Sequence, residues 1–402
     1  MSTSSTAVAP RMSGDLRLRL SVMMFLEFAV WGAWFVVLGN YLEALHFSKT
    51  QVGTMYSLIP LGAILSTMFV GQFADRYFSS ERLMAVLHLA GAGLLFWMAQ
   101  VQDANKFTLL AAVTLLYSLA YNPTLALANS ISFAHIPDGG RDFPGIRVFG
   151  TIGWIAVNLT VGRFLDIHSN QPLLLAAGIS LALGLFSLVL PHTPPAGAST
   201  SAGGPAFLRA FALMKDFSFG VFFVVSLVIT IVLAFYYSFT GQFLEHSGVK
   251  DVASTMTIGQ FMEMCFLPIL PWFLRNIKMK GVLALGMFCW GLRYAFFAVG
   301  HPWALVIAGV ALHGFCFDFF FAAGFIHVDN TAPRDIQASA QALFSFLTYG
   351  VGMYIGSEVS GRVAQAYTDA AGNTNWTAFW MFPAIGVLVS LAAFLAFFRS
   401  KD

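Results

Sequence analysis

Apolar runs long enough to cross a lipid bilayer alternate with short polar breaks along the whole chain. A crossing helix needs roughly 20 apolar residues. Suitable stretches fall at about 18–45, 51–75, 83–102, 107–135, 145–167 and 171–190, and again at about 217–245, 252–274, 281–299, 302–329, 335–366 and 376–398. Several exceed the minimum, as tilted or projecting helices do. The pattern predicts twelve helical spans. The first fourteen residues are small and polar, and the apolar run after them is too long for a secretory signal, so an uncleaved first span is expected.

The only long Pro/Gly/Ser/Thr-rich stretch, residues 191–205, separates the sixth span from the seventh and reads as a flexible linker. It predicts an N-terminal six-helix bundle over 1–190, a linker over 191–216 and a C-terminal six-helix bundle over 217–402. Two such bundles place a solute site between them near mid-membrane. Fifteen of the 21 Lys and Arg residues lie on the side that carries the N-terminus, five lie opposite and Arg293 falls within a span. Basic loops stay cytoplasmic, so both termini and the linker are expected there. Gly91, Gly93, Gly350 and Gly352 permit close helix packing.

Composition agrees with a membrane protein: 58% of the 402 residues are hydrophobic and 10% charged. The basic residues are scattered, so nothing points to nucleic acid. Cys265, Cys289 and Cys316 lie in apolar spans without a CxxC pair or a Cys/His cluster, which suggests neither a metal site nor disulfides. HExxH and GxSxG are missing, which argues against an enzyme. No filter-like loop or charged ring points to a channel.

Three carboxylates change the picture. Glu27, Glu263 and Asp318 sit inside predicted spans, where an acid costs about 3 kcal/mol to insert and usually faces a watery cavity, a proton path or a polar solute. Arg147, Thr151 and Trp154 follow at i, i+4 and i+7, which aligns charge, hydroxyl and indole on one helix face. Gln260 and Glu263, at i and i+3, do the same for an amide and a carboxylate, as do His313 and Phe317 at i and i+4. Each has a plainer reading. Arg147 near a span end could snorkel, Glu263 or Asp318 could pair permanently with Arg293, and Glu27 could bond a backbone carbonyl. Most aromatics, at 15% of residues, must be packing or lipid-facing groups. Pro123, Pro268 and Pro271 are expected to kink spans four and eight.

Motifs narrow the reading further. Gly71-Gln-Phe-Ala-Asp75-Arg76 resembles the first half of the signature loop of the major facilitator superfamily, in which Asp75 and Arg76 would gate by clamping helix ends. Tyr77-Phe78 departs from its usual glycine and basic residue. Longer stretches resemble the nucleoside:proton symporter family within that superfamily: Phe25-Leu-Glu-Phe-Ala-Val-Trp31-Gly-Ala-Trp34, Tyr121-Asn-Pro-Thr-Leu, Phe143-Pro-Gly-Ile-Arg147-Val-Phe-Gly-Thr151-Ile-Gly, Gln260-Phe-Met-Glu263, Trp290-Gly-Leu-Arg293, Cys316-Phe-Asp318-Phe-Phe and Ala338-Ser-Ala-Gln341.

The resemblance implies a twelve-helix fold of major facilitator type and nucleoside uptake driven by protons, with no other cofactor. It implies a solute pocket from Arg147, Thr151, Trp154, Gln260, Glu263, Phe317 and Asp318. The chain departs from better-known members at Ala234 and Tyr237, where they carry amides, at His313, where they carry tyrosine, and at Glu27, where they carry glutamine. Tyr237 and His313 therefore join the expected solute contacts. Stacking of a base on Phe317, Trp154, Trp31 or Tyr237 would contribute ~1–3 kcal/mol. Asp318, Glu263 and Glu27 are the expected proton carriers. The expected partners are a nucleoside and the lipid of a cytoplasmic (inner) membrane, with the chain acting as a monomer. Export or uncoupled passage of another small polar solute, and a receptor or scaffold role, are the alternatives.

Overall fold

In the computed structural model, residues 12–195 and 210–399 are described; over 67–77 this covers the helical backbone alone. The chain forms long helices: α1 (Gly14–Phe35), α2 (Leu38–Ala44), α3 (Lys49–Tyr77), α4 (Ser80–Gln100), α5 (Phe107–His135), α6 (Gly139–Phe164) and α7 (Gln171–Ser187). After the linker come α8 (Phe217–His246), α9 (Val252–Phe266), α10 (Leu270–Val299), α11 (Trp303–Phe317), α12 (Ala323–Thr331), α13 (Gln337–Ser345), α14 (Met353–Ala366) and α15 (Trp376–Phe397). Among the described residues no strand forms beyond one isolated bridge, Thr368 with Thr374.

The starts of these helices follow from local chemistry. Ser13, Asp138, Asp216, Asp251 and Asn375 each accept a hydrogen bond from a backbone N–H in the first turn of the helix that follows, which satisfies donors the helix leaves unpaired. Pro123 lies inside the unbroken α5. Pro268, by contrast, sits in a short 3-10 turn, Leu267–Ile269, between α9 and α10, and Pro271 occupies the first turn of α10. The expected break in span eight is therefore present, whereas span four continues through its proline.

Among the described residues, eight stretches are long and apolar enough to cross a membrane. The longest, Val252–Val299, has 48 residues, about 72 Å at 1.5 Å per residue and twice the hydrocarbon thickness. It must double back, and it does so at Lys278, where φ is 58°. Two π-helical stretches, Asp318–Ala322 and Phe346–Gly352, interrupt the helices on either side of them. Such widened turns free backbone carbonyls and gather at functional sites.

In the first half α1 packs on α6 and α7, and α4 on α5 and α7; in the second α10 packs on α15 and α11, and α9 on α11. The halves meet through α3 on α14 and α6 on α9. Two glycines set the closest approaches within the halves. A Cβ on Gly153 would collide with the backbone of Phe25, and one on Gly314 with the backbone of Glu263. Outward-facing Phe96, Trp97, Phe164, Leu185 and Val389 are exposed, a lipid-type surface that water would not tolerate at this density.

Polar contacts between the halves gather toward one end. Lys49 Nζ donates to Gln242 Oε1 (2.7 Å) and pairs with Glu43. Asn40 Nδ2 donates to Glu245 Oε2 (2.6 Å), and the other oxygen of Glu245 meets His168 Nε2 at 2.7 Å. Gln242 Nε2 donates to Gly39 O, Lys49 N to Gln365 Oε1, and, further along, Ser57 Oγ to Glu358 Oε1.

Candidate solute site between the halves

A cavity of about 740 Å³ lies between the halves, lined from both. Phe28, Trp31, Phe35, Tyr56, Asn122, Arg147, Thr151 and Trp154 come from the first half, and Tyr237, Gln260, Glu263, His313, Phe317 and Tyr349 from the second. Near the latched end it is roofed by aromatic rings. Phe35 lies 5.6 Å from Tyr237, 5.4 Å from Tyr56 and 6.4 Å from Trp154, and Trp154 meets Trp31 edge-on at 5.2 Å. From this roof the lining continues along α3 and α5 to Ser66 and Ser130.

The helical spacings seen in the sequence produce this wall. Arg147, Thr151 and Trp154 all line the cavity, so the face of α6 reads as predicted. The Arg147 guanidinium lies 4.1 Å from the Phe28 ring centre, a cation–π contact, and Gly150 leaves the room for both. Arg147 thus turns inward rather than snorkelling. Gln260 and Glu263 line it from α9, the helix of the second half that packs on α6.

Buried polar atoms without partners mark where a solute would bind. Gln260 Oε1 and Trp31 Nε1, both on lining residues, make no hydrogen bond. A buried polar group left unpaired costs about 1–3 kcal/mol, so these atoms favour a hydrogen-bonding occupant. Tyr56 is already committed: its hydroxyl donates to Phe35 O at 2.9 Å.

Asp318 stands apart from the other expected solute contacts. It is 1% exposed and does not line the cavity, although Phe317, its neighbour in the chain, does. Among the described residues it forms no ion pair with Arg293. That arginine, 0% exposed, is held instead by aromatic faces, with Tyr236 at 3.3 Å and Trp290 at 5.2 Å, and by His313. Glu27 lies outside the cavity wall. Its Oε2 bonds His88 Nε2 at 2.8 Å and its Oε1 accepts from Thr124 at 2.7 Å. The side chains of Asp75 and Arg76 lie outside the described residues.

Sequence reasoning missed Tyr56, Asn122, Tyr349 and Phe28 as lining residues, and His88 as the partner of Glu27. Asn122 carried a usable signal, an amide beside a proline inside a span. Its Nδ2 donates to Ser118 O and Ile59 O. The aromatics carried none, since a tyrosine facing a cavity and one facing a neighbour look alike in sequence.

The arrangement has clear relatives. A family model described as nucleoside H+ symporter matches residues 14–402. YegT of Escherichia coli is 40% identical, with 96% of this chain and 94% of that protein covered. The xanthosine permease of Escherichia coli is 34% identical over 96% of this chain and 97% of its own. A crystal structure of nucleoside transporter NupG superposes with a TM-score of 0.88 at 34% identity, covering 96% of this chain and all of that one. The chain is an integral membrane transporter rather than an enzyme, and it belongs to the nucleoside H+ symporter family.

Proposed function

We infer that this protein imports nucleosides together with protons by alternating access. The observation that carries the reading is the shared cavity, in which Arg147 and Thr151 of one half face Gln260 and Glu263 of the other. Ribose hydroxyls and base edges need both donors and acceptors, and flat bases need aromatic faces. The cavity offers Arg147, Thr151, Gln260 and Glu263 for the first need, and Trp154, Tyr237 and Phe317 for the second.

In this reading twelve spans form two six-helix bundles, 1–190 and 217–402, joined by a cytoplasmic linker, in a monomer of the cytoplasmic (inner) membrane. With both termini cytoplasmic, the latch of Asn40, Lys49, Gln242 and Glu245 closes the outer side. The conformation is then inward-facing. Import begins when the latch opens and the bundles rock the other way. Asp318 and Glu263 carry the coupling proton, the only cofactor required. Glu27, tied to His88 and Thr124 away from the cavity, is a further carrier whose proton would move inside the first bundle. Asp75 and Arg76 would clamp the cytoplasmic helix ends when that side closes.

Proteoliposome uptake of radiolabelled uridine and inosine, with and without a protonophore, tests the reading. Accumulation that a protonophore abolishes is expected. Equilibration unaffected by the protonophore would make the protein an uncoupled facilitator, and binding without flux would make it a receptor.

A further inference from the structure

His313 lines the cavity, and its Nδ1 lies 3.1 Å from Arg293 Nη1. A guanidinium carries donors only and keeps its proton in proteins. In this bond the histidine nitrogen must therefore accept. An imidazole that accepts at Nδ1 is neutral and carries its proton on Nε2.

The surroundings hold this state in place. Arg293 is fully buried, its Nε and Nη2 have no hydrogen-bond partner among the described residues, and it rests 3.3 Å from the centre of the Tyr236 ring. The His313 ring stacks on the same tyrosine, centroids 4.9 Å apart and planes 14° from parallel. Gly259 on α9 brings that helix against the His313 side chain, since a Cβ there would meet His313 Cβ at 2.9 Å. A 180° flip of the ring would keep the stack but set Cδ2 in place of Nδ1 against Arg293, and the arginine bond would be lost. No described residue hydrogen-bonds His313 Nε2, so Nε2–H is the polar group that this side chain brings to the cavity.

We propose that Arg293 acts as a positioning residue which fixes the tautomer of His313, making Nε2–H a donor that reads a carbonyl oxygen on the nucleobase. Among acceptors on a base edge, an exocyclic carbonyl protrudes furthest and is the strongest. The inference rests on the nucleoside reading above and adds to it which edge of the base meets the second half. Glu263 is the adjacent acceptor, because Gly314, the residue after His313, packs on the Glu263 backbone.

The test has two arms on the full-length protein in nanodiscs. In the first, 15N-histidine NMR, assigned with His313→Phe, reads the ring state; an Nε2–H signal is expected, and an Nδ1–H or doubly protonated ring overturns the proposal. In the second, affinities are compared for uridine, 2-thiouridine and 4-thiouridine, and for inosine and 6-thioinosine. A thiocarbonyl accepts poorly, so one thio analogue should bind about tenfold more weakly than its parent. That penalty should vanish in His313→Phe, weaken in Arg293→Leu and return in Arg293→Lys. A penalty that survives in His313→Phe, or is missing in the native chain, overturns the proposal. Binding of none of these nucleosides overturns the nucleoside reading and this assignment of partner with it, a result recognisable because the ring signal would remain Nε2–H.

Discussion

Glu27 on α1 and His88 on α4 share a 2.8 Å hydrogen bond in a part of the first bundle where Glu27 is 0% and His88 1% exposed. The pair is fully served. Thr124 Oγ1 donates to the second carboxylate oxygen of Glu27, Ser180 Oγ meets His88 Nδ1 at 3.1 Å, and Tyr121 Oη donates to the Glu27 backbone carbonyl at 2.8 Å. This buried acid–imidazole contact, with both carboxylate oxygens and both ring nitrogens bonded, ties α1, α4, α5 and α7 together.

Removal of one member should therefore cost more than neutral replacement. Glu27→Ala leaves His88 Nε2 without a partner, at about 1–3 kcal/mol, whereas the Thr124 hydroxyl keeps the Tyr121 carbonyl as its acceptor. Glu27→Gln keeps the shape and most of the bonding. Thermal melting in detergent should show a clearly larger drop in Tm for Glu27→Ala; equal drops would mean the network contributes little.

Asp318→Asn should abolish concentrative uptake while leaving the protein in the membrane. The amide keeps the volume of the acid but can neither take up nor release a proton. Uptake driven by an imposed pH gradient should fall by at least about tenfold, equivalent to ~1.4 kcal/mol. Normal accumulation by the variant would remove Asp318 from the proton path.

Glu263→Ala should weaken nucleoside binding more than transport protein abundance. Loss of one hydrogen bond to a charged group costs about 1.5–3 kcal/mol, or roughly ten- to hundredfold in affinity. A thermal-shift titration with nucleosides measures this directly. Unchanged selective stabilisation would place the solute away from α9.

Gly314→Val should damage folding. The added side chain meets the backbone of Met262 and Glu263, and backbone gives less readily than a flexible side chain. Overpacking of this kind costs typically ~1–3 kcal/mol or more. Loss of a monodisperse peak in size-exclusion chromatography is the expected result. Gly93→Val, at a position with nothing within 4 Å of a new Cβ, should behave like the native chain.

The outer latch gives a conformational prediction. Lys49→Met together with Asn40→Ala removes the bonds to Gln242, Glu43 and Glu245. The outward-facing state should then gain population. A cysteine introduced at Thr151 in place of the hydroxyl should become reactive toward an impermeant thiol reagent added outside, and unchanged labelling would argue that the latch does not hold the conformation.

The sequence alone determined the helices and much of the cavity wall. A carboxylate or amide in an apolar run has few tolerable surroundings, and helical periodicity fixes which neighbours share its face; Arg147, Thr151 and Trp154, and Gln260 with Glu263, were legible for that reason. Tertiary structure alone decided which helix faces meet. It set Arg293 among aromatic rings and against His313 instead of beside Asp318, tied Glu27 to His88, and brought Tyr56, Asn122 and Tyr349 to the cavity. Those choices depend on how each helix is rotated against its neighbours. Rotation is set by close contacts such as Gly153 on Phe25 and by the widened turns at Asp318–Ala322 and Phe346–Gly352, for which no pattern of apolar and polar positions along a single helix carries a signal.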